Sequence, residues 1–113
     1  MSPGDAFFPL MVTRLPRADI PVPGLTSYLA QAGDQQFVFM SFDHDVDVAE
    51  HSHAAQWGVV LDGEMELHVA GQRLDLVRGD QYFIPEGAPH RASIRAGYKD
   101  LTLFDQGDRY AVL

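Results

Sequence analysis

The apolar residues of this chain fall into short segments, and several of these segments alternate apolar with polar positions. Within residues 64–69, for example, every second position is apolar, at Met65, Leu67 and Val69. A period of two places the apolar side chains on one face of an extended strand. The pattern predicts strands at 9–15, 25–30, 36–42, 56–61, 64–69, 72–76, 81–84, 91–94 and 100–104.

Glycines and prolines separate the segments and indicate turns between them. Asp62-Gly63 joins two segments and predicts a tight hairpin. Ala70-Gly71 and Gly79 mark further turns. Helical periodicity is not sustained outside the first thirty residues, and within them prolines interrupt it. Many short strands joined by such turns predict an all-β sandwich or barrel, and the pattern does not choose between these architectures.

Size and charge restrict the classes of function. A chain of 113 residues has room for one domain, and its formal net charge of −8 argues against a nucleic acid or an anionic membrane surface as partner. No apolar run approaches the roughly 18 residues that cross a bilayer, and the N-terminus does not resemble a secretory signal, so we expect a cytoplasmic protein. Cysteine is absent, so only nitrogen and oxygen atoms can bind a metal.

Two stretches carry candidate metal ligands. His51 and His53 are two residues apart, so on an extended backbone their imidazoles face the same way. Gln56 follows after a bend through two alanines, and His90 follows Pro89, which limits its backbone freedom. A His-x-His pair by itself is more often a polar surface pair than a ligand set. The case for a metal site therefore depends on both stretches.

Taken together, the two stretches resemble the two motifs of the cupin family. The second motif has a Gly, five residues, Pro-x-Gly, two residues and a His, and it is matched in every spacing by Gly79, Pro85, Gly87 and His90. The first motif has His-x-His, a short gap, a Glu and a later Gly. The resemblance extends over about residues 35–105, most of the chain.

The first motif is matched with departures. His51, His53 and Gly63 fit, whereas Gln56 stands at the position of the Glu, after a gap that is shorter than usual. Asp45 and Ile94 stand where the family often has Gly and Asn. An amide oxygen is a neutral donor, so a metal held by three imidazoles and Gln56 keeps its full charge.

The resemblance implies a double-stranded β-helix, or jelly-roll, barrel with one divalent metal ion held by His51, His53, Gln56 and His90. Residues 1–34 would form an N-terminal arm and strands of the same domain, and residues 35–113 the barrel core and C-terminal tail. Zn, Ni, Fe, Mn and Co all suit such ligands, so the ion is not identified.

Some small cupins that act on uronate-type sugars in pectin breakdown also use three histidines and a glutamine. Those proteins carry an Asp two residues before a Phe on the last strand, which acts in proton transfer. Here Thr102 precedes Phe104 in that spacing, with Asp100 and Asp105 nearby. The resemblance therefore assigns no general base.

Other residues are candidates for the pocket and for the surface. Met40, Phe83 and Phe104 are candidate pocket walls, although core packing is the commoner role for such residues. Arg109 and Tyr110 lie in a tail that resembles one folding over the barrel mouth in some small cupins. His68 alternates with apolar neighbours and is predicted to face solvent.

These observations leave three functions open. The first is a metal-dependent enzyme, of isomerase or dioxygenase type, acting on a small oxygen-rich metabolite such as a sugar acid or keto acid. The second is a non-catalytic barrel that binds a small molecule and carries a structural metal, and the third is a barrel without metal. The apolar segment 7–12 further predicts pairing with a second copy, as a homodimer.

Overall fold

The computed structural model describes residues 7–113 and contains one short helix and nine strands in that range. They are α1 (Leu10–Thr13), β1 (Leu25–Ala32), β2 (Gln35–Phe42), β3 (Val46–His51), β4 (Gln56–Asp62), β5 (Glu64–Val69), β6 (Gln72–Val77), β7 (Gln81–Ile84), β8 (His90–Ile94) and β9 (Lys99–Phe104). Within the described range, no helix is long and apolar enough to cross a membrane.

The strands form two antiparallel sheets that enclose the core. The first has the strand order β1-β2-β9-β4-β7, and the second has the order β3-β8-β5-β6. Along β2 the burial alternates, with Val38, Met40 and Phe42 inside, as the sequence pattern predicts. Val60 from the first sheet and Leu67 from the second belong to the same buried cluster. The prediction of an all-β jelly-roll barrel is confirmed.

The prediction of a strand at residues 9–15 is wrong. Residues 10–13 form a single helical turn, in which the amides of Val12 and Thr13 donate to the carbonyl of Pro9. No residue from 9 to 15 takes part in the strand pairing of residues 7–113. Instead Phe8 is 4% exposed, and its ring packs against Tyr28 and Phe39 of the same chain.

Strand β3 has no counterpart among the predicted strands. Its burial pattern shows only partial shielding at Val46 and Val48, with Asp47 exposed between them. It lies at an edge of its sheet, pairs with β8 and has a register shift between Val48 and His51. The apolar alternation of this segment is weak in the sequence, because its two valines lie among acidic residues. Acidic residues are tolerated there because the outer side of an edge strand faces water.

Asp62-Gly63 does not form the predicted hairpin. It connects β4 of the first sheet to β5 of the second, and these strands are not paired. Gly63 has a φ of +75°, and a Cβ there would lie 2.7 Å from the Cα of Tyr98, so the corner requires glycine. The turn at Ala70-Gly71 is a true hairpin and joins β5 to β6.

Candidate metal centre

The backbone brings the three predicted histidines together at one end of the barrel. His51 ends β3 and pairs directly with His90, which begins β8. His53 follows in the loop to β4, and its carbonyl accepts a 2.9 Å hydrogen bond from the amide of Gly87. This bond ties the His53 loop to the Pro85–Gly87 turn, so the two motif stretches are held side by side.

The distances between the rings suit a common ligand. The ring centroids lie 4.2 Å apart for His51 and His90, 4.7 Å for His53 and His90, and 5.2 Å for His51 and His53. One nitrogen from each ring lies within 4.8 Å of the others. Nitrogens that share a metal at about 2.1 Å lie roughly 3 to 4 Å apart, so only a small closure is needed. The three histidines can hold a metal ion.

Each imidazole is oriented by a carbonyl close to it in sequence. The Nδ1–H group of each ring donates to a backbone oxygen, in the pairs His51–Ala49 (2.9 Å), His53–Ala54 (2.7 Å) and His90–Ala88 (2.9 Å). A ring that donates from Nδ1 carries its lone pair on Nε2. Such outer contacts fix the tautomer and the orientation of metal-binding histidines. All three rings therefore present the nitrogen that a metal needs.

Burial favours the neutral form of His53 and His90. The pKa of His53 is lowered from 6.5 to about 4, chiefly by burial; the carbonyl of Ala54 opposes this shift and the positive charge of Arg109 contributes to it. The pKa of His90 is lowered as well, first by burial. Metals bind the unprotonated ring, so the site is ready for a cation at neutral pH.

Gln56 begins β4 and lines the same cavity as the histidines. The cavity has a volume of about 390 Å³. The Gln56 Nε2 donates over 3.4 Å to the hydroxyl of Tyr82, which in turn donates over 3.0 Å to Oδ2 of Asp100. Tyr98 donates to the same oxygen over 2.8 Å. A chain of hydrogen bonds thus runs from the candidate ligand into the barrel interior.

Asp100 is a buried acid that sequence reasoning did not assign to the site. Its side chain lines the cavity at 3% exposure, and Oδ1 has no hydrogen-bond partner within residues 7–113. Burial raises the pKa of Asp100 to about 7, although the hydroxyls of Tyr98 and Tyr82 counteract the shift. The signal available in sequence is the alternation of β9, which places Asp100, Thr102 and Phe104 on one inward face.

Four of the five predicted pocket residues line the cavity: Met40, Phe104, Arg109 and Tyr110. Phe83 does not line it, and the expectation for this residue is wrong. Its side chain is 59% exposed and lies opposite Trp57 on the outer face of the first sheet. Its neighbours Tyr82 and Ile84 take the inward positions of β7, so alternation sends Phe83 outward.

Arg109 lines the cavity together with the histidines. Its guanidinium carbon is 4.4 Å from the ring centroid of Tyr110 and 5.7 Å from that of Phe104. Its buried Nε has no hydrogen-bond partner among the described residues. The positive charge of Arg109 lowers the pKa values of His53 and His90, and its Nε is left free to donate to a ligand.

The fold indicates the class of protein, and the family model agrees with it. Residues 31–106 match the model of the cupin domain, and the chain belongs to the cupin family.

Solved structures resemble it over most of its length. KdgF from Halomonas sp. is 25% identical, with 81% of this chain and 86% of that chain covered and a TM-score of 0.70. An RmlC-like cupin from Shewanella frigidimarina is 22% identical, with 96% of each chain covered and a TM-score of 0.73. Oxalate decarboxylase from Bacillus subtilis is 20% identical, with 81% of this chain and 28% of that chain covered and a TM-score of 0.67. No curated protein sequence matches the chain.

Proposed function

We propose that this cupin is a metal-dependent enzyme acting on a small carboxylate that carries further oxygen atoms, such as a sugar acid or keto acid. The observation that carries the proposal is the content of one cavity. It holds three convergent histidines, a buried carboxyl group at Asp100 and the cationic side chain of Arg109. A metal, a proton carrier and an anion-binding group in one enclosed space are typical of an active site.

The metal would be held by Nε2 of His51, His53 and His90 and by Oε1 of Gln56. The donor chemistry fits Zn, Ni, Fe, Mn or Co, because all of these accept imidazole and amide ligands. When bound, such an ion supplies Lewis acidity toward a carbonyl or hydroxyl oxygen of the substrate. Four protein ligands leave space for that oxygen on a five- or six-coordinate ion.

Arg109 would bind the carboxylate of the substrate. A buried guanidinium donor without a partner is costly, so a ligand that accepts from it is favoured. A guanidinium also matches a carboxylate in geometry and charge. The stacking on Tyr110 holds the group toward the cavity. This arrangement supports an anionic substrate over a neutral one.

Asp100 would transfer the proton. Thr102 occupies the position at which the similar uronate-acting cupins have their acid, and Asp100 is the inward position before it on β9. With its pKa raised to about 7 by burial, Asp100 can both accept and return a proton near neutral pH. An acid that takes a proton from one carbon and returns it to another fits an isomerase better than a dioxygenase.

The test is turnover of a panel of sugar acids and keto acids by metal-loaded protein. In Asp100→Asn, kcat is expected to fall by about 10²- to 10⁴-fold, the usual contribution of a general base, while the affinity for the ligand changes little. Asp105→Asn, at an exposed position directly after β9, is the control and should keep the wild-type rate. Unchanged turnover in Asp100→Asn would remove the proposed proton carrier.

A binding barrel with a structural metal is the alternative, and Thr102 in place of the usual acid is the observation that favours it. Such a protein would bind one of these acids tightly and turn over none of them with any of the five metals. Calorimetric binding measured beside the turnover assay separates the two functions, because only the enzyme consumes its ligand.

We further propose that the chain forms a homodimer. Because Phe8 of the predicted pairing segment 7–12 packs against Tyr28 and Phe39 of its own chain, we assign the interface to the outer face of the first sheet instead. Apolar side chains lie in register across four strands there: Phe37 opposite Leu103, Leu103 opposite Trp57, and Trp57 opposite Phe83. The outer face of the second sheet instead carries an ionic group that includes Glu66, His68 and Arg73. A continuous apolar face of this kind is typical of an interface.

Light scattering of Phe83→Lys tests the dimer. The variant should be a monomer at concentrations where the wild type is a dimer. Val77→Lys, at a 51% exposed position of the second sheet, should leave the dimer intact. A monomeric wild type at high concentration would contradict the proposal.

A further inference from the structure

We propose that Tyr82, lying over Gly58 and held by Asp100, is a positioning residue that turns the amide of Gln56 so that Oε1 faces the metal. The inference depends on the proposed function, because it takes Gln56 to be a ligand. It adds a reason why a glutamine stands at this position, and it assigns roles to Tyr82 and Gly58 that no motif indicates.

The direction of the hydrogen bonds carries the inference. A tyrosine hydroxyl has one hydrogen, and that of Tyr82 is donated to Oδ2 of Asp100 over 3.0 Å. Its oxygen can then only accept a further hydrogen bond from a neighbour. One such neighbour is the amide of Gln56, whose Nε2 donates over 3.4 Å. With Nε2 directed at Tyr82, Oε1 is the end of the amide that is left for a cation.

The same logic explains the departure from the family motif. A glutamate side chain has no hydrogen to give when ionised. At position 56 it would compete with Asp100 for the single hydrogen of Tyr82, and Asp100 would be left with the hydroxyl of Tyr98 as its one donor. Gln56 is the residue of similar length that both donates to Tyr82 and offers an oxygen to a metal. The buried acid therefore favours the amide.

Gly58 provides the space that Tyr82 occupies. It lies two residues after Gln56 on β4, directly opposite Tyr82 on β7. A Cβ at this position would overlap the Cζ and hydroxyl oxygen of Tyr82. The ring of Tyr82 therefore crosses the strand where there is no side chain, and its hydroxyl reaches both Gln56 and Asp100.

Tyr98 offers a natural comparison within the same network. Its hydroxyl donates to the same oxygen of Asp100 over 2.8 Å, and its side chain is buried like that of Tyr82. Unlike Tyr82, it has no hydrogen bond to Gln56 in the network described here. Removing either hydroxyl takes one donor from Asp100, but only the loss of the Tyr82 hydroxyl releases the amide.

The experiment is calorimetric titration of metal-free protein with Co²⁺, supported by the visible spectrum of the bound ion. Tyr82→Phe is expected to bind Co²⁺ about 10- to 100-fold more weakly, as is usual when a group that orients a ligand is removed. Tyr98→Phe is the matched control and should bind within about threefold of the wild type. Equal affinities in the two variants would overturn the inference.

A double-mutant cycle isolates the effect on Gln56. In a Gln56→Ala background, Tyr82→Phe should cause no further loss of affinity, because there is no amide left to orient. Gly58→Ala, which removes no polar atom, should weaken binding as Tyr82→Phe does. A further loss in the Gln56→Ala background would contradict the proposed route through the amide.

The outcomes separate this inference from the proposed function. A wild type that does not bind Co²⁺, or a Gln56→Ala variant that binds as tightly as the wild type, would overturn the ligand set and this inference with it. Tight binding by the wild type, weak binding by Gln56→Ala and wild-type binding by Tyr82→Phe would overturn only the role of Tyr82.

Discussion

The histidines and the glutamine of the candidate site are positioned in different ways. Each histidine is oriented by a backbone carbonyl no more than two residues away along the chain. Gln56 is oriented by Tyr82, which is 26 residues away, and Tyr82 by Asp100, a further 18 residues away. Local backbone therefore orients the imidazoles, whereas the amide depends on the packing of the barrel interior. Changes to that interior should affect the amide and leave the imidazoles in place.

The largest effect is expected from removing a histidine. His90→Ala should weaken metal binding by more than the 10- to 100-fold typical of an orienting residue, because a direct ligand is lost. His68→Ala is the matched control, since His68 contacts Glu66 and Arg91 on the outer face of the second sheet. Metal content by elemental analysis and affinity by calorimetry are the measurements. Equal metal binding by the two variants would contradict the site.

A smaller effect is expected from Gln56→Glu, which should destabilise the metal-free protein and increase the stabilisation by added metal. Without metal, the new carboxylate competes with Asp100 for the hydroxyl of Tyr82, so Asp100 can lose one of its two donors. A hydrogen bond lost by a buried group costs about 1 to 3 kcal/mol. The apoprotein should therefore melt several degrees lower than the wild type. Added Co²⁺ should raise the melting temperature by more than it does in the wild type, because the carboxylate attracts the cation.

Gln72→Glu introduces the same charge at an exposed hairpin position and serves as the control. It should change neither the apoprotein melting temperature nor the increase on adding metal. If Gln56→Glu melted like Gln72→Glu without metal, the conflict with Asp100 would not exist, and the contrast between the imidazoles and the amide would lose its physical basis.

The same contrast explains what could be predicted from sequence. The alternation of strands such as β5 and the fixed spacings around His51 and His90 are local, and they predicted the fold and brought out the histidines. Asp100 and Tyr82 were not identified as site residues from the sequence, because their importance arises from burial and from contacts between strands distant in sequence. Strand β3 was not predicted because its outer positions are acidic. The Asp62-Gly63 corner was wrongly predicted as a hairpin, because a turn residue does not reveal which strands will pair.

The smallest effect concerns the pH dependence of apoprotein stability, in which the two parts of the site oppose each other. The pKa of His53 falls from 6.5 to about 4 on folding, so between these values the unfolded chain binds more protons and stability decreases as the pH falls. The pKa of Asp100 rises from 3.8 to about 7, so in nearly the same range the folded chain binds more protons and its contribution increases as the pH falls. Asp100→Asn removes only the second contribution. Urea unfolding of the apoprotein between about pH 4.5 and pH 6.5 should therefore show a steeper loss of stability toward acid in this variant than in Asp105→Asn, which keeps the buried acid. Parallel curves would mean that Asp100 has the same pKa in the folded and unfolded chains. Asp100 would then not be the proton carrier proposed for the cavity.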